Sequence, residues 1–187
     1  MEERKYVDEY VIKKVQQGNA ELFEQIVKKY QNRIYGMGMM FFRNPDDASD
    51  YVQEVFIKTF NNIQSYRGQS KFYYWLVRVA YNHGINMVKG MKRADTLVDT
   101  LVTDWDLSPE ESQLKKDIHS ALQRAVEDLP EKYRICIDLY FFYGCPYHEI
   151  TAMTGFPVNT VKSHVFRAKQ LLRDALKGSV AEEYHEM

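Results

Sequence analysis

Residues 146–176 have the sequence PYHEITAMTGFPVNTVKSHVFRAKQLLRDAL, in which two helical patterns flank a Gly-Phe-Pro break. The helical spacing of apolar residues ends at Thr154 and resumes at Val158. The second pattern has a single apolar stripe with the 3.6-residue period of an α-helix: Val161, Val165, Ala168, Leu172 and Leu176. Its remaining surface carries one acid, Asp174, among basic and imidazole side chains: Lys162, His164, Arg167, Lys169, Arg173 and Lys177.

This pattern predicts a helix-turn-helix whose second helix lies in a DNA groove, held to its domain by one apolar edge. An amphipathic surface helix with solvated lysines is the alternative for any helix taken alone. The short preceding helix and the glycine-containing turn favour DNA reading.

The composition is that of a folded protein, because 45% of the 187 residues are hydrophobic and 27% are charged. Two cysteines are too few for a disulfide framework and indicate a reducing compartment. The charged start, Met1–Lys5, predicts no signal peptide, and the most apolar run, Ile34–Phe42, is too short to span a bilayer. We therefore expect a soluble cytoplasmic protein.

Residue patterns for catalysis or cofactor binding are missing from the sequence. It has no Gly-rich phosphate loop and no local Ser-His or Cys-His constellation. Zinc held by Cys136, Cys145, His119 and His148 is conceivable, but their spacing fits no compact ligand pattern. The sequence thus predicts a protein that is not an enzyme and that needs no metal or cofactor.

Helical periodicity predicts an all-α chain with two helical parts. In the first part, Asn19 is a candidate cap for a helix from Ala20, Asp46 for the next helix, and a third helix runs from about Ser70 to Lys92. The second part holds four helical segments, about 109–129 and 131–143 and then the helix-turn-helix. The predicted organisation is a first domain at 1–93, an extended acidic linker at 94–112, a second domain at 113–178 and a polar tail at 179–187.

Charge is segregated along the chain, so the net charge of −1 does not describe the local charge that a DNA phosphate would meet. Residues 65–93 contain six Lys or Arg and no acid, whereas residues 94–113 contain six acids and no Lys or Arg. The basic segment interleaves its cations with aromatic residues, a combination that is typical of sites that bind single-stranded nucleic acid. For Phe72, Trp75 and Leu76 we favour a core position, and for Tyr66, Tyr73 and Tyr74 both readings stay open.

Several motifs in this order resemble those of the extracytoplasmic-function (ECF) sigma factors, whose region 2 and region 4 domains are joined by a linker. The resembling segments are DDASDYVQEVF at 46–56, YRGQSKF at 66–72, WLVRVAYN at 75–82, LPEKYR at 129–134, YHEI at 147–150 and GFPVNTVKS at 155–163. The resemblance covers roughly residues 8–177 apart from the linker.

The resemblance implies a transcription initiation factor with three sets of contact residues. The first set binds core RNA polymerase: Asp50, Gln53, Glu54 and Phe56. The second opens and reads the −10 element of promoter DNA as single strand: Tyr66, Arg67, Gln69, Ser70, Lys71, Tyr74, Arg78 and Asn82. The third reads the −35 element as duplex: Asn159, Thr160, Lys162, Ser163, His164, Phe166, Arg167 and Lys169. It further implies a cognate anti-sigma factor.

Two departures from the family pattern affect the −35 reader. His164 stands where the family usually has Arg, and Asn159 stands where Gly is frequent and is a candidate cap for the recognition helix. The competing function is a stand-alone helix-turn-helix regulator, which predicts a dimer and a symmetric operator. The sequence offers no obvious dimerisation heptads, which counts against that alternative.

Overall fold

The computed structural model describes residues 5–91, 120–122 and 124–177, and within these ranges every regular element is a helix. The all-α prediction is therefore confirmed. The chain divides into two compact units, Met1–Val102 and Thr103–Met187. The predicted acidic linker, the polar tail and the predicted helix start near Pro109 lie outside the described residues.

Within residues 5–91, the N-terminal unit has four α-helices and two short 3-10 turns. The helices are α1 (Lys5–Gln16), α2 (Phe23–Phe42), α3 (Pro45–Asn61) and α4 (Phe72–Met91), and the turns are Ala20–Leu22 and Ile63–Ser65. Their core is built from large apolar side chains on the inward stripe of each helix, as the 3.6-residue period requires. Its fully buried members include Ile12, Ile26, Ile34, Met37, Tyr51, Val55, Phe72, Leu76 and Val77.

Two predicted helix caps were wrong. The 3-10 turn Ala20–Leu22 precedes α2, and the side chain of Asn19 makes no capping hydrogen bond. At α3 the cap is Asn44, whose Oδ1 accepts hydrogen bonds from the backbone N–H groups of Asp46 (2.8 Å) and Asp47 (3.2 Å). Pro45 occupies the first turn of α3, where its missing N–H leaves no hydrogen bond unmade.

Helices α2 and α3 approach closely where two small residues meet. A Cβ atom added at Gly38 would lie 2.9 Å from the Cα of Ala48, closer than carbon atoms can sit without displacement. Gly36 lies two residues earlier on α2 and is exposed, and a Cβ atom added there would meet open space. Of these two positions, packing therefore requires glycine at Gly38 and not at Gly36.

The C-terminal unit contains the predicted helix-turn-helix. After a helical segment at 120–122 and 124–127, labelled α5, come α6 (Glu131–Phe141), α7 (Tyr147–Thr154) and α8 (Val158–Leu176). Gly155 ends α7 with a left-handed φ of 75° and donates its N–H to the carbonyl of Thr151. Helix α8 begins after Pro157 with no side-chain cap, so the prediction that Asn159 caps it was wrong.

The apolar stripe of α8 faces the domain interior, as its spacing predicts. Val161, Val165 and Ala168 are buried, and Ala168 packs with Leu129 and Ile137 in a core cluster. The interior also contains an acidic side chain, because Asp138 of α6 is only 6% exposed. Burial raises the pKa of its carboxyl to about 7, against the smaller lowering effect of the Arg134 charge.

Replacing each of the two α2 glycines by alanine should change stability in opposite directions. Gly36→Ala should raise the free energy of unfolding by about 0.5–1 kcal/mol, because alanine is the better helix former. Gly38→Ala should lower it by about 1–3 kcal/mol, because the new methyl group overpacks against Ala48. Denaturant titration of both variants measures this, and stabilisation by both would contradict the close approach.

The buried Asp138 carboxyl should make the C-terminal unit less stable as pH rises from about 4 to about 7. The unfolded state releases this proton near the ordinary value of 3.8, whereas the folded state holds it to about 7. The folded state therefore binds more protons in this interval, and raising the pH favours unfolding. Amide hydrogen exchange in α6 and α8, corrected for intrinsic rates, measures the effect.

Asp138→Asn should flatten this dependence while every other titrating group stays in place. Equal pH dependences in the two proteins would show that Asp138 does not keep its proton in the fold.

Candidate nucleic-acid interface

The outer face of α8 carries most of the predicted −35 contacts. Exposed side chains there are Asn159, Lys162, Ser163, Phe166, Arg167 and Lys169, while Thr160 is half-buried. Phe166 is 61% exposed, which is unusual for an aromatic side chain. The surface therefore combines cations for phosphate, polar groups for base edges and one apolar group.

Aromatic residues of α6 contact the charged groups of two cations on this face. The guanidinium of Arg167 donates a hydrogen bond to the hydroxyl of Tyr133 at 3.3 Å, and that hydrogen bond lowers the pKa of Tyr133. The Lys169 ammonium lies 4.7 Å from the ring centroid of Phe141 and 5.6 Å from that of Tyr140. Both contacts restrict long side chains that would otherwise be mobile.

The side chain of His164 lies away from this face, on the inner side of α8, and its predicted contact with DNA stays a prediction. Its side chain is buried, its ring lies edge-on to Tyr133 (5.2 Å) and Phe156 (5.1 Å), and its Nδ1 is 3.7 Å from the Sγ of Cys136. Burial, with smaller effects from the Lys132 and Arg167 charges, lowers the pKa of the imidazole. Position 164 follows Val161 by three residues, so the helical period itself puts this side chain beside the apolar stripe.

The loop between the second 3-10 turn and α4 exposes three of the predicted −10 contacts. Arg67, Gln69 and Lys71 are exposed and Ser70 is half-buried. Gly68 has a φ of 71°, a left-handed conformation that favours glycine and turns the chain here.

Tyr66 is buried at the start of this loop, and its predicted contact with DNA stays a prediction. Its hydroxyl donates a hydrogen bond to the Ser70 carbonyl at 2.8 Å, and its ring packs on Phe72 (5.4 Å) and Trp75 (5.6 Å). Burial raises its pKa to about 12, helped by the nearby charges of Glu9 and Asp8. Tyr66 therefore braces the loop as a neutral phenol.

The other predicted −10 contacts lie on one face of α4, the helix that follows the loop. Tyr74, Arg78 and Asn82 follow at intervals of four residues, so they share a helix face; the first two are half-buried and Asn82 is exposed. The Lys71 ammonium lies 5.8 Å from the Tyr74 ring centroid, which brings the loop and this face together. Tyr73 points elsewhere, because it stacks on Tyr30 at 5.5 Å and accepts a hydrogen bond from Arg33.

The predicted polymerase-binding residues of α3 divide between surface and core. Asp50, Gln53 and Glu54 are exposed on one face, whereas Phe56 is buried against Phe23 at 6.3 Å. The side chain of Phe56 fills the core in this structure, and its predicted contact with polymerase stays a prediction.

The α3 surface includes residues that the sequence reasoning missed. Ile57 is 61% exposed and lies four residues after Gln53, so it extends the same face. Glu54 accepts a hydrogen bond from Nε2 of His83 at 2.7 Å, and the Nδ1 of that ring is 3.4 Å from the Lys58 ammonium. Ile57 thus adds one exposed apolar side chain to this acidic face, and its exposure is visible only in the structure.

The described ranges contain no helix long and apolar enough to cross a bilayer. In the same ranges, His, Cys, Asp and Glu side chains form no group of three that could hold a metal ion.

Known proteins match this chain over nearly its whole length. Residues 26–94 match the family model described as Sigma-70 region 2, and residues 119–172 match Sigma-70, region 4. The RNA polymerase sigma-H factor of Pseudomonas aeruginosa is 32% identical over 181 residues, which cover 91% of this chain and 94% of that protein. The ECF RNA polymerase sigma-E factor of Haemophilus influenzae is 31% identical, with coverage of 91% and 95%.

Two solved structures share the fold. CnrH in complex with the cytosolic domain of CnrY has a TM-score of 0.64 at 20% identity, covering 90% of this chain and 96% of that chain. The sigma factor RpoE in complex with the anti-sigma factor NepR from Bartonella quintana has a TM-score of 0.63 at 22% identity, covering 83% and 97%. From these matches, above all the two curated relatives that align along both units, we conclude that the chain belongs to the ECF sigma factors of the sigma-70 family.

Proposed function

We propose that this chain binds core RNA polymerase and directs it to specific promoters, with three surfaces that share the work. The observation that carries the proposal is the match of one chain to both sigma regions, at 26–94 and 119–172. A stand-alone helix-turn-helix regulator would need only the second region, so the alternative is not favoured. The protein acts by binding, and no catalytic role is assigned to it.

The polymerase-binding surface is the exposed face of α3. We assign to it Asp50, Gln53, Glu54 and, in place of the buried Phe56, Ile57. Carboxylates around one exposed apolar side chain fit a basic partner surface with an apolar centre.

The −35 reader is the outer face of α8. Lys162, Arg167 and Lys169 neutralise phosphates or reach base edges, and each neutralised phosphate releases counterions. Exposed Phe166 suits apolar contact with a thymine methyl group. The neutral, buried His164 supports this face from inside the domain.

The −10 reader combines the 66–71 loop with the Tyr74, Arg78 and Asn82 stripe of α4. Stacking of an unpaired base on an aromatic ring is worth about 1–3 kcal/mol, which offsets part of the energy of unpairing. The Asn82 amide offers both a donor and an acceptor to a base edge. Arg67, Gln69 and Lys71 follow the backbone of the displaced strand.

A cognate anti-sigma factor is part of the proposal. The supporting observation is that two chains with this fold were each solved with a protein partner, named as an anti-sigma factor in one case. The protein works in the cytoplasm, on the nucleoid when bound to polymerase, or at the membrane when such a partner is anchored there.

Run-off transcription on a pool of genomic promoter fragments, with bacterial core RNA polymerase and with or without this protein, tests the proposal. The expected result is a set of discrete transcripts that need both components and share two upstream elements. Duplex binding by the protein alone, with no core-dependent transcript, would instead favour the stand-alone regulator.

Asn82→Ala should slow promoter opening and relax base choice at one −10 position, since the variant cannot hydrogen-bond the captured base. Transcription from promoters varied at each −10 position measures this. Asn86→Ala, one turn further along α4 and also exposed, is the matched control and should leave base choice unchanged. An unaltered base preference in the Asn82 variant would contradict the assignment of Asn82 as a −10 contact.

Arg167→Ala should weaken −35-dependent initiation by about tenfold, the loss expected when one arginine contact worth about 1–3 kcal/mol disappears. On templates with a scrambled −35 element, the variant and the wild type should initiate equally. Equal loss on both kinds of template would place the role of Arg167 outside −35 recognition.

A further inference from the structure

The C-terminal end of α1 holds the backbone that leads into the 66–71 loop. The side-chain amide of Gln16 donates two hydrogen bonds through Nε2, to the carbonyl of Ile63 at 2.8 Å and to that of Tyr66 at 2.9 Å. In return, the side chain of Gln64 donates a hydrogen bond to the backbone carbonyl of Gln16 at 2.9 Å. Segments about 50 residues apart in sequence are thus joined by three hydrogen bonds.

The two Gln16 bonds use the whole donor capacity of one amide nitrogen, which has two N–H groups. They tie together both ends of the 3-10 turn, where the N–H of Tyr66 also donates to the Ile63 carbonyl at 3.2 Å. Since one planar group grips two carbonyls, it fixes the distance and the orientation between them.

The loop is held from its two ends by different groups. Gln16 fixes the backbone of Tyr66, and the hydroxyl of Tyr66 fixes the carbonyl of Ser70. The exposed Arg67 and Gln69 lie between these two anchored points. Their positions therefore depend on a chain of hydrogen bonds that begins in α1.

We propose that Gln16 is a positioning residue for base selection at the −10 element, acting through Tyr66 on the loop and touching no DNA itself. This inference rests on the proposed role of the loop as a −10 reader. Loss of the two bonds frees the loop to sample other conformations, so the preferred base and its competitors bind with more similar affinity.

The attachment of α1 to its unit does not depend on Gln16. Val11, Ile12 and Val15 are buried in the core, and Asp8 bonds to the Lys29 ammonium at 2.6 Å and to the Tyr30 hydroxyl. A change at Gln16 is therefore expected to alter the loop while α1 stays docked.

The test is Gln16→Glu in reconstituted holoenzyme, with Gln17→Glu as the matched control. The first substitution turns carboxylate oxygens toward two carbonyl oxygens, whereas Gln17 is exposed and undergoes the same change of charge. The readout is the ratio of initiation from the preferred promoter to initiation from promoters substituted at each −10 position. We expect Gln16→Glu to lower this ratio by about threefold to tenfold, the effect of one or two lost hydrogen bonds, and Gln17→Glu to leave it unchanged.

A role in stability alone would reduce the active fraction and scale all promoters equally, so an unchanged ratio overturns the inference. Should Gln16→Glu fold poorly, Gln16→Met keeps the length without the donors and must lower the same ratio. One outcome is that Asn82→Ala relaxes base choice while neither Gln16 variant does. That result would support the proposed −10 reader and contradict the positioning role of Gln16. If the wild type gives no core-dependent initiation, the proposed function fails and takes this inference with it.

Discussion

The hydrogen bond from the Tyr51 hydroxyl to the Ala80 carbonyl, 2.7 Å long and wholly buried, joins α3 to α4. Because the hydroxyl and the carbonyl meet out of water, this hydrogen bond is favoured in a single alignment of the two helices. His83 stacks on the Tyr51 ring at 5.8 Å and reaches Glu54 on the surface. The helix proposed to meet polymerase and the helix proposed to read unpaired DNA therefore behave as one body.

In the C-terminal unit, Tyr133 has a comparable position between core and surface. It packs on the cluster of Leu129, Ile137 and Ala168, lies against the His164 ring, and presents its hydroxyl to Arg167. One aromatic side chain thus links apolar packing to the orientation of a cation. In both units an aromatic side chain that packs on the core also contacts a polar side chain outside it.

Sequence reasoning succeeded where the determinants are local. The break at Gly155 and the period of the α8 stripe depend on neighbours within a few residues, and the structure confirms both. The cap at Asn44 is local too, yet it was assigned to Asp46, although an Asn followed by Pro is the better start signal.

Sequence reasoning gave no side-chain orientation where burial is decided by contacts between distant segments. Family motifs identified Phe56, Tyr66 and His164 as functional, but a motif names a residue without saying which way its side chain points. For His164 the period of α8 already indicated the interior. The Gln16 contacts gave no sequence signal at all, because they pair a helix end with backbone carbonyls that any residue could supply.

If polymerase binds the α3 face as proposed, Glu54 would exchange its contact with His83 for a contact with that partner. Glu54 is about half exposed as a side chain, so its bond to the imidazole is worth at most about 1 kcal/mol and yields easily to a better-placed cation. Because His83 directly follows Asn82 and also stacks on Tyr51, this exchange would change the contacts of a residue next to the proposed −10 reader without undocking its ring.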